Sequence, residues 1–103
     1  MNGKNQAGGP SGAPADRVQE AVKNTNIPQL YCNGFALQAS GLDTLMVLER
    51  NGLPVATLNM SFSSAKTLAQ KLNELIDAIE KRTGRSIMTD EEIVRAPKPG
   101  NEK

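Results

Sequence analysis

Few residues in this chain have the type and spacing that covalent chemistry needs. Ser63-Ser64-Ala65-Lys66 matches Ser-x-x-Lys, in which a lysine one helical turn beyond a serine helps to deprotonate it. In penicillin-binding and class A β-lactamase enzymes that motif works beside Lys-Thr-Gly and Ser-Asp-Asn segments. Neither segment occurs here, and 103 residues are too few for such a fold. Helix-start serines and a solvated lysine account for the match. Tyr31, Asp43 and Lys66 are the remaining groups for proton transfer. Asp43 follows Ser40-Gly41-Leu42, turn chemistry in which an aspartate ordinarily caps local amides. Tyr31 begins an alternating run, the usual place of an amphipathic packing residue. Cys32 has no neighbouring base and reads as a buried structural thiol. The chain has no histidine, which removes Ser-His-Asp and Cys-His catalysis, and it has no metal-ligand spacing. Gly8-Gly9-Pro10-Ser11-Gly12 lacks both the preceding strand and the following Gly-Lys-Ser/Thr of a phosphate loop. The sequence therefore predicts no catalytic residue, no cofactor and no metal site.

The elements that carry these residues follow from periodicity. Tyr31, Asn33, Phe35, Leu37 and Ala39 alternate with Cys32, Gly34, Ala36 and Gln38, the period-two pattern of a strand. Gly34 weakens that strand and marks either a bulge or a close backbone neighbour. Thr44 to Arg50 forms a second strand and Val55 to Met60 a third. Between them, Asn51-Gly52 is the strongest short-range hairpin signal, because a type I′ turn needs two positive φ angles. A two-residue loop there pairs Arg50 with Leu53 through hydrogen bonds and places Pro54 in a non-hydrogen-bonded pair with Glu49. The missing Pro54 N–H then costs nothing on the hairpin side, and strand three should have no close partner on its other side.

Ser61 fits an N-cap. From Ala65 to Ile79 apolar residues recur at i, i+3, i+4, i+7 within an arc of roughly 120°, an amphipathic helix with one stripe to bury. Lys81, Arg82 and Arg85 suit the negative end of that helix, and Gly84 is a natural residue to end it. Thr89-Asp90-Glu91-Glu92 has the spacing of a capping box for a short second helix, on which Ile93 and Val94 could dock. The predicted fold is thus α+β: a three-stranded antiparallel meander followed by one long amphipathic helix, a short C-terminal helix and disordered tails. Residues 29–95 form one domain. Residues 1–28 are mostly a Gly/Pro-rich tail. Within it, Asp16–Lys23 sets Val18, Ala21 and Val22 at helical spacing, a turn or two that is marginal in isolation, so helix and extended chain both stay open. Residues 96–103 are the second tail, where Pro97, Lys98, Pro99 and Gly100 stop regular structure.

Twelve basic against eleven acidic residues leave a net charge of +1, which disfavours a generic polyanion binder. The outer helix face interleaves Lys66, Gln70, Glu74, Asp77 and Lys81, a solvated face more than a phosphate track. With 3% aromatic residues there is no stacking platform either. No apolar run approaches the roughly 20 residues of a membrane helix, and no export segment is evident. A lone cysteine closes no intramolecular disulfide, so a cytoplasmic protein is expected.

Strand two is apolar on both faces: Leu45 and Val47 point one way, Met46 and Leu48 the other. One helix covers only one face of a three-stranded sheet. A core of about 57 residues buries only about 60% of its unfolded surface and is marginal alone. A homodimer or higher oligomer solves both problems, with a fold-back of the N-terminal segment as the competing arrangement. The expected function is that of a small non-enzymatic adaptor, scaffold or holdase-like protein that binds a protein partner through a strand edge or apolar surface. Tyr31, Phe35, Met46 and Leu48 are the candidate contact residues. The alternative is a nucleic-acid-associated accessory protein.

Tyr31-x-Asn33, Ser40-x-x-Asp43, the strand Val55 to Met60, and Ser61 leading into Ala65-Lys66-x-Leu68-x-x-x-Leu72 and Glu80 together carry a resemblance. The chain resembles a family of small bacterial and archaeal proteins classed as a domain of unknown function. The similarity spans roughly Leu30 to Ile87. It implies a strand meander and one long helix ending near a glycine, and it implies no activity. The family usually has a proline after the serine that opens the helix, where this chain has Phe62, so the helix start is expected to differ. It also tends to have an aromatic residue after the aspartate, where Thr44 and Leu45 stand here.

Overall fold

A computed structural model of the chain describes residues 13–97. Most of the expected N-terminal tail, residues 1–12, and residues 98–103 of the C-terminal tail lie outside the described residues. The elements run α1 (Pro14–Lys23), β1 (Gly34–Ser40), β2 (Asp43–Arg50), β3 (Leu53–Ser61), α2 (Phe62–Thr83) and α3 (Asp90–Arg95). The three strands form one antiparallel sheet in the order β1-β2-β3, so β2 is central. β3 is an edge, where Pro54 lacks a donor that the sheet does not require. By their internal contacts the residues group into two compact units. One takes residues up to Ala36 with Val47–Thr57, the other Leu37–Met46 with Leu58 onward.

In the first unit, α1 realises the helical option at Asp16–Lys23 and extends it back. Pro14 and Ala15, expected in the tail, belong to the helix because proline at its start loses no hydrogen bond. Asp16 in the first turn and Lys23 in the last complement the helix dipole. Gln29 Nε2 donates to the Val22 carbonyl at 2.9 Å, satisfying one of the free acceptors at the helix end. At the sheet, Asn51 and Gly52 have φ of 54° and 85°, the two positive angles that a type I′ turn requires. Asn33 clamps this turn from 18 residues away. Its Oδ1 accepts the Asn51 N–H at 2.9 Å and its Nδ2 donates to Asn51 Oδ1 at 3.0 Å. Its own N–H donates to the Glu49 carbonyl at 2.8 Å, so pairing with β2 starts one residue before β1. At Gly34 the nearest neighbour is a side chain and not a backbone: a Cβ there would stand 3.1 Å from Glu49 Oε1 and 3.4 Å from Glu49 Cβ, with the Glu49 carbonyl oxygen 4.0 Å away.

In the second unit, β1 turns into β2 at Gly41-Leu42, with Gly41 at φ 61°. Asp43, expected in the turn, is the first residue of β2. Thr44 Oγ1 donates to the Met60 carbonyl at 3.0 Å, tying β2 to the end of β3. No loop separates β3 from α2. Ser61 ends the strand, takes an extended conformation, and accepts the Ser64 N–H on its hydroxyl at 3.0 Å. Phe62 therefore occupies the first helical position. α2 runs for 22 residues, about 33 Å. It stops at Gly84, left-handed at φ 71°, whose N–H donates to the Glu80 carbonyl at 2.8 Å. Glu80 Oε2 then accepts the Ile87 N–H at 2.8 Å and holds the following segment. The capping box is present: Thr89 Oγ1 accepts the Glu92 N–H at 3.2 Å, and Glu92 Oε1 accepts the Thr89 N–H at 2.8 Å.

One expectation fails. The helix stripe and the sheet were to bury each other, yet no described residue is buried. Along the stripe Ala65, Leu68 and Ile79 are half-buried, and Ala69, Leu72, Leu75 and Ile76 are exposed. The α1 residues Val18 and Val22 are exposed as well. The described residues have apolar surfaces of the right period but leave them partly open.

Candidate functional site

The second unit contains an open groove of about 450 Å³. One wall is sheet, with Leu37, Gln38 and Ala39 from β1 and Thr44 and Met46 from β2. The other wall is the first half of α2, with Ala65, Leu68, Ala69 and Leu72. Local sequence explains both walls. Alternation on β1 puts Leu37 and Ala39 on one face, and alternation on β2 does the same for Thr44 and Met46. The i, i+3, i+4, i+7 spacing gathers the four helix residues on one stripe. Ser61 starts the helix directly off the sheet, so that stripe opens beside the strands with no intervening loop.

The groove holds no titratable side chain, and its Thr44 hydroxyl is already committed to the Met60 carbonyl. Its chemistry is that of an apolar receptor. Past Leu72 the stripe stays exposed as far as Ile76, with Leu72 52%, Leu75 57% and Ile76 38% exposed, and across the groove Leu37 of β1 is 71% exposed, whereas Ile79 is half-buried.

The candidate contact residues divide. Met46 lies in the groove. Phe35 and Leu48 sit two residues along their strands from Leu37 and Met46, on the same strand faces, but do not line it. Tyr31 precedes β1, is exposed, and does not line it either. Leu68 and Leu72 are lining residues that the helix periodicity placed on a stripe to bury, and Leu37 is one that the sequence showed only as part of an alternating run. Periodicity marked their faces as apolar but did not say what covers those faces. Of the groups weighed for chemistry, Ser63 and Lys66 stand exposed on α2 with no bond between them; the Ser63 carbonyl accepts the Thr67 hydroxyl at 3.0 Å. Cys32 is a free, half-buried thiol. Among the described residues no group of three or more His, Cys, Asp or Glu could hold a metal, and no helix is long and apolar enough to cross a membrane. No family model, no curated protein and no solved structure matches this chain, so the functional reading rests on the groove and on the residues that build it.

Proposed function

We propose that this chain is a small non-enzymatic protein-interaction module that works as a homo-oligomer. The observation that supports it is the absence of any buried residue among those described, in a chain whose long helix is amphipathic and whose central strand is apolar on both faces. Full burial of a leucine or isoleucine contributes about 1.5–3 kcal/mol. The half or more of Leu37, Leu72 and Leu75 left in water thus withholds roughly 1 kcal/mol each, with Ile76 adding somewhat less. Against a total stability of about 5–15 kcal/mol for a domain, that deficit decides whether the fold persists alone. A partner that covers the stripe restores it. The lone thiol Cys32 suits a reducing, cytoplasmic setting.

Sedimentation equilibrium of the full chain from about 1 to 100 μM tests the reading. A dimer or larger species at the upper end is expected. A monomer at every concentration, with the helix content intact, overturns it.

A further inference from the structure

We infer that the partner seated in the groove is a second copy of this chain, whose α2 lies antiparallel to the first with a two-fold axis beside Leu72. This rests on the oligomeric reading above and specifies the surfaces that meet. Reversing α2 about Leu72 maps its apolar stripe onto itself. Ala65 then faces Ile79, Leu68 faces Ile76, Ala69 faces Leu75, and Leu72 faces its own mate. Sizes match as well as positions. The end of the stripe built from two alanines receives the end built from leucine and isoleucine, the large-against-small arrangement that lets facing layers interdigitate.

The groove adds an independent reason. Its four helix residues are Ala65, Leu68, Ala69 and Leu72, the two-fold mates of Ile79, Ile76, Leu75 and Leu72. The second copy therefore brings its uncovered aliphatic side chains to the place where the first copy has a cavity. At roughly 100 Å³ per leucine or isoleucine side chain at protein packing density, three of them fill most of it. The void they enter measures about 450 Å³. A parallel pair would set Ala65 on Ala65 and Ile79 on Ile79, bringing only Leu68 and Leu72 of the second copy to the groove.

The area is also sufficient. Taking ~180 Å² for a large apolar residue, the exposed parts of Leu37, Leu72, Leu75 and Ile76 come to on the order of 400 Å² per copy. A standard interface takes about 800 Å² from each partner, of which roughly 60% is apolar. The half-buried Leu68, Ile79 and Met46 supply the difference. Charge works in both directions along the seam. One flank sets Lys66 beside Glu80 of the second copy, and the other sets the two Lys71 side chains near each other. The pairing is therefore carried by shape and apolar burial.

Cysteine cross-linking of the full chain in a Cys32→Ser background tests this geometry. Helices packed 8–10 Å apart place facing Cα atoms about 4–6 Å apart, within disulfide reach. Leu72→Cys should oxidise to a covalent dimer. Ile79→Cys should not, because its two copies stand about 21 Å apart along the seam. Mixing Ala65→Cys with Ile79→Cys should give a cross-linked heterodimer. Asn73→Cys, an exposed position that costs no packing, should join through a short bis-maleimide and serves if Leu72→Cys unfolds. Self-linking at Ile79→Cys, or no linking at either Leu72→Cys or Asn73→Cys while sedimentation shows a dimer, overturns the α2 pairing and leaves the oligomeric reading standing. A monomeric wild-type chain overturns both.

Discussion

Replacing Asn33 with alanine removes two hydrogen bonds that reach across 18 residues to the Asn51-Gly52 turn, one to the Asn51 N–H and one to its side chain. Each is exposed, so each contributes at the lower end of the range for neutral bonds, about 0.5–1 kcal/mol. Asn33→Ala should therefore cost about 1–2 kcal/mol, or about 5–12 °C in melting temperature for a domain of this size. The backbone bond from the Asn33 N–H to the Glu49 carbonyl survives the substitution, so the strand keeps its register. Asn51→Gly is the complementary change. Glycine tolerates the positive φ and keeps the N–H that Asn33 Oδ1 accepts, so only the bond between the two amide side chains is lost. In the Asn33→Ala background that bond is already gone. A double-mutant cycle should return a coupling of about 0.5–1 kcal/mol, while the entropy that glycine adds to the unfolded chain cancels between its two arms. Urea unfolding followed by far-ultraviolet circular dichroism gives all four values. It must be run at one protein concentration, since association stabilises the folded state by mass action. A loss under about 0.3 kcal/mol for Asn33→Ala, or strict additivity, would refute the clamp.

Substitutions at two further positions probe the helix end and the groove. Gly84→Ala forces a side chain into the left-handed conformation that ends α2 and should cost about 1–2 kcal/mol in thermal unfolding; Gly84→Asn should cost less, and equal costs would show that φ 71° is not what selects glycine. Leu37→Asp puts a charge at the mouth of an apolar groove and should weaken self-association at least tenfold by sedimentation, while an unchanged dissociation constant would place the interface elsewhere.

What was legible in the sequence is what a few adjacent residues decide. Asn51-Gly52 declared its turn because two consecutive positive φ angles exclude most other residues. Pro54 declared an edge because it has no N–H to give a neighbour. Ser61, Gly84 and the Thr89–Glu92 box each satisfy groups within three or four residues of themselves, so their spacing alone predicts them. The Asn33 clamp was not legible: nothing local ties residue 33 to residue 51, and Asn33 reads as one more polar residue in an alternating run. Gly34 pointed to either a bulge or a close backbone neighbour, and neither option named the Glu49 side chain that stands nearest to it. For the groove, Met46 stood out because β2 is apolar on both faces, whereas Leu72 read as one position of a stripe to bury and Leu37 as one residue of an alternating run.

That last difference shows what an apolar period does and does not specify. A stripe such as Leu68, Leu72 and Ile76 fixes which side of a helix leaves water, and a sheet of its own chain or a surface of another satisfies it equally. Deciding between them depends on the quantity of matching surface. Here several polar requirements are met inside the chain: α2 is capped at both ends, the Asn51-Gly52 turn is clamped by Asn33, and Thr44 reaches the Met60 carbonyl. The apolar requirement is left open, with Leu37, Leu72 and Leu75 each more than half exposed. An open apolar requirement selects its partner by shape, because buried hydrocarbon attraction is not directional. On α2 the shape is an ordered series, alanines at one end and leucine and isoleucine at the other, which fits a reversed copy of itself far better than a parallel one.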